Sequence, residues 1–310
     1  MRVWGLHLGL IALLFAAQFV LPPYHYTNVA RIMVLAVFAM GYNISFGYTG
    51  LLSLGHALFF AAGLYGAGLL NYLLEWSALP AVIVGVAAGG GIAAAVGVLA
   101  LRTTGVAFMI VTLMFAQAGY LTILYFGAIT GGDEGFVIGK DGRTIFGFDL
   151  AMDTPRYLVA LGLFAVAMLA NLMLVRSPIG RVLVAMRENE ERSRMLGYNP
   201  FGVKLFALVI SGIYAGAAGA AYGVLFSYVG ASFAGIQYSI LPMLWVLMGG
   251  AGVVMGPFLG VLIMFYLVDI AGSYTDATLL VVGVALLVLV LFAPKGVLGT
   301  LRARGLTWLP

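Results

Sequence analysis

An all-α polytopic membrane protein with about ten transmembrane helices is the fold this sequence predicts, and three observations predict it. First, charge is scarce: Lys and Arg number 15 and Asp and Glu 11 in 310 residues, or 8% of the chain, where soluble domains carry about 25%. Second, 63% of the residues are hydrophobic and the mean hydropathy is +1.11, more apolar surface than a water-soluble fold of this size can bury. Third, the apolar residues come as long uncharged runs of Leu, Val, Ala and Gly, without the alternation a membrane β-barrel needs. A helical span takes roughly 20 apolar residues, so ten spans use about two thirds of the chain. What remains is short loops, hence one transmembrane domain over 1–310 and no room for a soluble catalytic domain.

Taken in order, the segments fall at 5–21, 30–47, 55–74, 80–101, 107–129, 157–175, 204–228, 238–250, 257–272 and 277–293. The first begins after Arg2 and ends near Ala16-Ala17-Gln18, a leader-like pattern; it is expected to remain as the first span. The next four are separated only by Glu75 and Arg102, each an isolated charge between uncharged stretches. The loop 130–156 carries Asp133, Glu134, Asp141, Asp149 and Asp153 against three basic residues, which suits the outer side. The loop 176–204 carries Arg176, Arg181, Arg187, Arg192, Arg194 and Lys204, which suits the cytoplasm. Asp269 and Asp276 flank a further outer loop, and Lys295, Arg302 and Arg304 place the tail inside. Both termini are then cytoplasmic, and Arg31 alone stands near the outer surface against the charge rule. The net charge of +4 and isoelectric point near 9.3 reflect this loop bias rather than nucleic-acid binding.

Groups for catalysis are sparse. Cysteine is absent, which excludes disulfides, thiolate metal sites and Cys nucleophiles. The three histidines, His7, His25 and His56, form no metal-binding spacing. Gly135–Lys140 reads GFVIGK, one residue short of a phosphate loop and followed by Asp141 instead of a hydroxyl. The span interiors hold essentially no carboxylates, which an ion-coupled carrier would need. No catalytic residue, metal or cofactor is expected, and the energy for any transport belongs to another chain.

Four local features stand out. Ser177-Pro178 starts a short charged helix by cap and first-turn proline, Gly197 ends it, and Glu188–Arg192 and Glu190–Arg194 are favourable i,i+4 pairs. Such a helix is a solvated connector or a docking element for a cytoplasmic partner. GYTGLLSLGH at 47–56 interrupts an uncharged stretch with glycines, hydroxyls and His56, as a short loop or as a broken helix lining a substrate path. Gly212, Gly216, Gly219 and Gly223 form a ridge for close helix packing. MGGAGVVMGP at 248–257 predicts a tight turn between two spans.

These features occur together and in order, and on them the chain resembles the permeases of ABC importers for branched-chain amino acids, the LivM-like branch. NISFGYTGLLSLGHALFFAAGLYGAGLL (43–70) is similar to the family's GYxGxxSLGHAxFxxxGAY segment. RTTGVAFMIVTLMFAQ (102–117), TGGDEG (130–135), the RENE-containing stretch 186–220, SILPMLWVLMGGAGVVMGPFLGV (239–261) and FAPKGVLG (292–299) follow in family order. Many relatives of this kind carry an acidic residue shortly after the counterpart of Ser239, where this chain has Ile240, Leu241 and Pro242.

The resemblance implies a prokaryotic plasma-membrane importer with a second, related permease subunit, cytoplasmic ATPase subunits and an extracytoplasmic substrate-binding protein. It implies that Arg187, Glu188, Asn189, Glu190, Glu191 and Gly197 belong to the helix that couples to an ATPase. A translocation path is expected along Asn43, Gly47, Gly50, Ser53, His56 and Gln117, because polar groups inside a span are costly unless hydrated or paired. Branched-chain amino acids are the expected cargo. Related permeases for urea, short amides, aromatic compounds or sugars are the alternative, and a stand-alone channel or secondary carrier is a remoter one.

Overall fold

The computed structural model describes residues 2–145, 147–275 and 277–304. Its helices are α1 (Arg2–Ala17), α2 (Pro23–Asn43), α3 (His56–Leu74), α4 (Ala78–Ala100), α5 (Val106–Tyr125), α6 (Gly127–Thr130) and α7 (Asp153–Arg176). They continue as α8 (Pro178–Glu188), α9 (Glu190–Met195), α10 (Pro200–Phe226), α11 (Ile236–Gly249), α12 (Gly256–Tyr274), α13 (Thr278–Phe292) and α14 (Gly296–Arg304). Each of the ten expected apolar segments falls on helix, nine of them on one each and 107–129 on α5 and α6 together. Among the described residues seven helices are long and apolar enough to cross a bilayer, and α1, α11 and α13 are shorter apolar helices. Asp276 lies outside the described residues.

Helix α2 is the axis of the bundle. Ile32, Met33, Val34, Ala36, Phe38, Ala39 and Met40 are all fully buried, and with the π-helical turn Ile44–Tyr48 that extends it, 89% of its apolar window is enclosed by protein. Helix α5, with 17% enclosed, presents Val106, Ile110, Met114, Leu121 and Tyr125 outward. Lipid tails are as apolar as Leu, so what holds such helices together is close packing and hydrogen bonding. The ridge on α10 provides the packing. A methyl on Gly89 of α4 would sit 2.5 Å from the Gly216 Cα and 2.7 Å from the Gly212 carbonyl oxygen. Gly63 of α3 meets the same Gly216 backbone. The glycine ridge is thus spent inside the subunit, joining α3, α4 and α10.

Helices α2 and α12 run antiparallel and are tied at both ends. At one end Tyr24 donates to both carboxylate oxygens of Asp269 at 2.6 and 2.7 Å, and His25 Nδ1 lies 3.1 Å from the Tyr266 hydroxyl. At the other end Asn43 binds the turn that precedes α12. These are the Asp269 end and the Arg187 end of the bundle.

The segment 130–156 carries two small antiparallel ladders, one within itself and one that joins it to the chain just after α10. Strand β1 (Phe136–Val137) pairs with β4 (Tyr228–Val229), Phe136 opposite Val229, and β2 (Thr144–Ile145) pairs with β3 (Phe148–Asp149). Arg143 is buried beneath them. Its guanidinium donates to the Val224 and Leu225 carbonyls at 2.8 and 2.6 Å, and to Leu150 at 3.2 Å. The last carbonyls of α10 would otherwise lack donors, and a cation there also complements the helix dipole. Burial, then the Arg156 charge, lowers the Arg143 pKa from its usual value, against the pull of Asp149.

Candidate functional site

The chain breaks where 47–56 was expected to interrupt it. After the π-helical turn, Leu51 N–H donates to the Ser45 carbonyl at 2.8 Å and Thr49 Oγ1 to the Ile44 carbonyl at 2.9 Å. Gly50 takes a left-handed φ of +75°, a conformation that suits glycine. The start of α3 leaves orphan amides, and side chains from three elements take them. Leu54 N–H donates to Thr112 Oγ1 of α5 at 3.1 Å, Gly55 N–H to Ser53 Oγ at 3.2 Å, and Ala57 N–H to Ser239 Oγ of α11 at 3.2 Å. Irregular backbone within an apolar bundle persists only when satisfied in this way.

His56 closes the break from within. Its Nε2 is 2.6 Å from Ser211 Oγ on α10 and 3.4 Å from Ser45 Oγ. The ring stands edge-on to Tyr42 and Phe59, with centroids 4.7 and 5.2 Å away. Asn43, Ser53 and His56 are all fully buried. Gly50 is exposed, and Gln117 on α5 is half-buried without a hydrogen bond among the described residues.

At the Arg187 end four distant pieces of chain meet. Asn43 Nδ2 donates to the Val253 carbonyl at 3.0 Å, and Gly252 N–H donates to Asn43 Oδ1 at 2.9 Å. Arg187 Nη1 donates to the Gly47 carbonyl, and Arg302 Nη1 of α14 to the Gly252 carbonyl at 3.2 Å. Gly250 and Gly252 make the 250–255 turn with φ of +122° and +74°. The expected tight turn between spans is present, and the break in α2 is fastened to it.

The charged segment after α7 departs from the single helix its spacing predicts. It is two helices, α8 and α9, broken at Asn189. Asn189 adopts extended backbone (φ −158°, ψ 101°), and its Oδ1 accepts the Arg192 amide at 2.8 Å as the cap of α9. Asparagine competes well for backbone donors at helix starts, and here it wins over helix continuation. The break puts Glu188 and Arg192 out of helical phase, and among the described residues they form no ion pair. Glu190 keeps its partner Arg194 at 3.8 Å and gains Lys204 of α10 at 2.6 Å. Gly197 (φ +92°) ends α9, and Ser177 Oγ caps α8 as expected, accepting the Gly180 amide at 3.2 Å. Glu188, Asn189 and Glu191 remain exposed.

Arg187 stands between two cavities. One, of about 540 Å³, is bounded by Gly50, Thr103, Gly105, Glu190 and Lys204; the other, of about 680 Å³, by Leu247, Val253, Lys295, Gly299 and Arg302. Asn43, Gly47, Gly50 and Arg187 therefore form one cluster. Ser53 and His56 form a second with Thr112, Ser211 and Ser239, and Gln117 joins neither. The sequence alone marks neither Thr112 nor Ser211 as part of a site, and marks Arg302 only as one of the basic residues of the tail. A lone hydroxyl within an apolar span, opposite a glycine-rich break elsewhere, is the signal that finds the first two.

Comparison with known proteins places this arrangement. Residues 27–293 match the family model described as branched-chain amino acid transport system, permease component. The chain belongs to that family. The permease is 28% identical over 299 residues to the high-affinity branched-chain amino acid transport system permease protein LivM of Salmonella typhimurium, covering 88% of this chain and 69% of the relative. The LivM protein of Escherichia coli aligns to the same extent at the same identity. A protein of Methanocaldococcus jannaschii named probable branched-chain amino acid transport permease protein LivM is 36% identical over 94 residues, covering 29% of this chain and 26% of that one. No solved structure matches the chain significantly. Family membership together with the apolar helices makes the permease a multi-pass membrane protein and a transport subunit.

Proposed function

We propose that the permease is the membrane-spanning subunit of an importer for small amino acids, branched-chain ones first, driven by separate ATPase subunits. Its Arg187 end faces the cytoplasm. The observation that carries this reading is the bond from Arg187 to the Gly47 carbonyl. Arg187 belongs to the α8–α9 segment, whose next residues Glu188, Asn189 and Glu191 are exposed. Gly47 belongs to the broken end of the buried axis helix. A partner that moves α8 and α9 by docking on the exposed side thus moves the end of α2 and, through Asn43, the 250–255 turn. The chain's own residues contribute a lever and a wall; nucleotide chemistry belongs to the partner. Gly50 and Gln117 are the two accessible members of the expected path, while Asn43, Ser53 and His56 hold the break that shapes it.

The test is a charge reversal that spares the latch. Glu188→Lys with Glu191→Lys should leave the permease folded, since exposed charges contribute about 0–1 kcal/mol to stability. Amino-acid uptake by the reconstituted transporter should fall at least tenfold, because like charges facing each other across an interface cost several kcal/mol. Wild-type assembly with the ATPase and wild-type uptake would reduce the segment to a connector. Orientation is checked separately with cysteines, of which the chain has none. In intact cells an impermeant maleimide should label Lys140→Cys and leave Met195→Cys unmodified.

A further inference from the structure

At the Asp269 end, between α2, α11 and α12, lies a groove of about 250 Å³ that the path described above does not include. Leu35, Leu241, Trp245, Met264 and Phe265 line it, with Asp269 at its rim. The volume is below the roughly 300–1,000 Å³ of drug-sized sites. Asp269 is held in place by the two bonds from the Tyr24 hydroxyl. One hydroxyl proton leaves carboxylate lone pairs free for another donor.

The cation comes from Arg31. It stands one turn from Leu35 on the same face of α2, because residues four apart in a helix are neighbours. Its guanidinium carbon lies 5.2 Å from the centre of the Phe226 ring, and Tyr238 also lines the groove. Its Nε is buried with no hydrogen-bond partner, and among the described residues it has no ion pair. A cation left without a counter-ion inside a span is costly. The groove therefore joins an apolar floor to one anion, and Arg31, which does not line it, stands one turn beyond its Leu35 wall with no ion pair among the described residues.

We propose that this groove is a subsite for a zwitterionic amino acid with an aliphatic side chain. The ammonium rests on Asp269, the carboxylate on Arg31, and the side chain among Leu35, Leu241, Trp245 and Phe265. The long Arg31 side chain swings from the Phe226 ring to the ligand, exchanging a cation–π contact for a bidentate ion pair. The subsite rests on the permease reading and adds a place on this subunit where cargo is held by both of its charges.

The experiment uses the assembled transporter in proteoliposomes, free of other cysteines, with Val268→Cys at the groove. Maleimide labelling of that cysteine is timed with L-leucine, with 4-methylpentanoate, which lacks the ammonium, and with 3-methylbutylamine, which lacks the carboxylate. Leucine should slow labelling and the two analogues should not. Asp269→Asn and Arg31→Gln should each raise the half-protecting leucine concentration at least tenfold. Arg31→Lys, which keeps the charge and loses the fork, should fall between Arg31→Gln and wild type and serves if Arg31→Gln assembles poorly. Equal protection by all three compounds, or unchanged protection in the variants, overturns the proposal and leaves an apolar groove. Labelling of the isolated permease that vanishes on assembly, with or without leucine, also overturns it and makes the groove a subunit contact. Leucine uptake by the wild-type transporter is measured alongside. Uptake without protection removes the subsite and keeps the importer reading; absence of uptake by an assembled, ATP-hydrolysing transporter strikes the importer reading instead.

Discussion

The seam joining α3, α4 and α10 and the cluster at the Arg187 end hold the same bundle together by opposite means. In the seam, backbone touches backbone. Gly63, Gly85, Gly89, Gly212 and Gly216 bring three helices so close that a single methyl has nowhere to go. In the cluster, side chains reach to backbone across the fold: Asn43 to Gly252 and Val253, Arg187 to Gly47, Arg302 to Gly252. Cavities of about 540 and 680 Å³ lie beside it. A seam with no free volume has one arrangement, because close-packed interiors do not deform continuously. A few hydrogen bonds beside open space can break and reform. The comparison assigns rigidity to the seam and motion to the Arg187 end.

The sharpest way to break that assignment is to add volume in the seam. Gly216→Leu places a branched side chain against the Gly85 carbonyl and the Gly89 backbone, where even the Cβ would lie 3.0 and 2.9 Å away. Overpacking typically costs about 1–3 kcal/mol and occasionally more, and here backbone rather than a flexible side chain must yield. Folded permease, measured by size-exclusion chromatography after solubilisation, should be largely lost. Gly91→Leu, two residues beyond Gly89 on α4 with nothing within 4 Å of its Cβ position, should purify like wild type. Equal losses in the two variants would mean that the helix and not the seam is sensitive.

The latch should give a smaller and different loss. Asn43→Ala strands the Gly252 amide and the Val253 carbonyl, both bound to this one side chain. A buried group left unsatisfied costs about 1–3 kcal/mol. The protein should still fold, with a lowered midpoint in thermal unfolding. Uptake should fall by more than the loss of folded protein explains, because the end of α2 is then no longer fastened to the 250–255 turn. A variant that loses stability and uptake in step would make Asn43 a packing residue with no part in transmission.

These two regions also differ in how far the sequence discloses them. The spans are legible because lipid forbids charge and requires length, so the gaps between Arg31, Glu75, Arg102 and Asp133 mark them directly. The seam is legible because small residues recur every three or four positions on α10. The break at 47–56 shows as glycines and hydroxyls, whereas the π turn over Ile44–Tyr48 falls largely in what reads as an ordinary span. The latch is not legible, since its partners lie 140 to 210 residues apart and each half looks ordinary alone. An arginine in a charged loop and a glycine carbonyl in a span carry no mark of one another. Asn189 is the case where local reasoning chose wrongly between two local options. Its neighbours favour helix on both sides, and the cap it forms on Arg192 decides for a break.

The smallest effect belongs to the surface of the same segment and sharpens where the Arg187 end begins. Glu190 faces two cations. Arg194 is 3.8 Å away with its side chain 68% exposed, whereas Lys204 is 2.6 Å away and 16% exposed. An exposed pair at i,i+4 contributes about 0.3–0.5 kcal/mol and is screened by salt. Lys204 sits less exposed and ties α9 to α10, the seam's own helix. Arg194→Ala should leave thermal stability and uptake within error at physiological salt. Lys204→Ala should lower stability measurably, and more so than Arg194→Ala at every salt concentration, because water screens its pair less. Should Arg194→Ala prove the more damaging of the two, α9 is held by its own helix pair rather than by α10, and the rigid region stops at Pro200 instead of reaching Glu190.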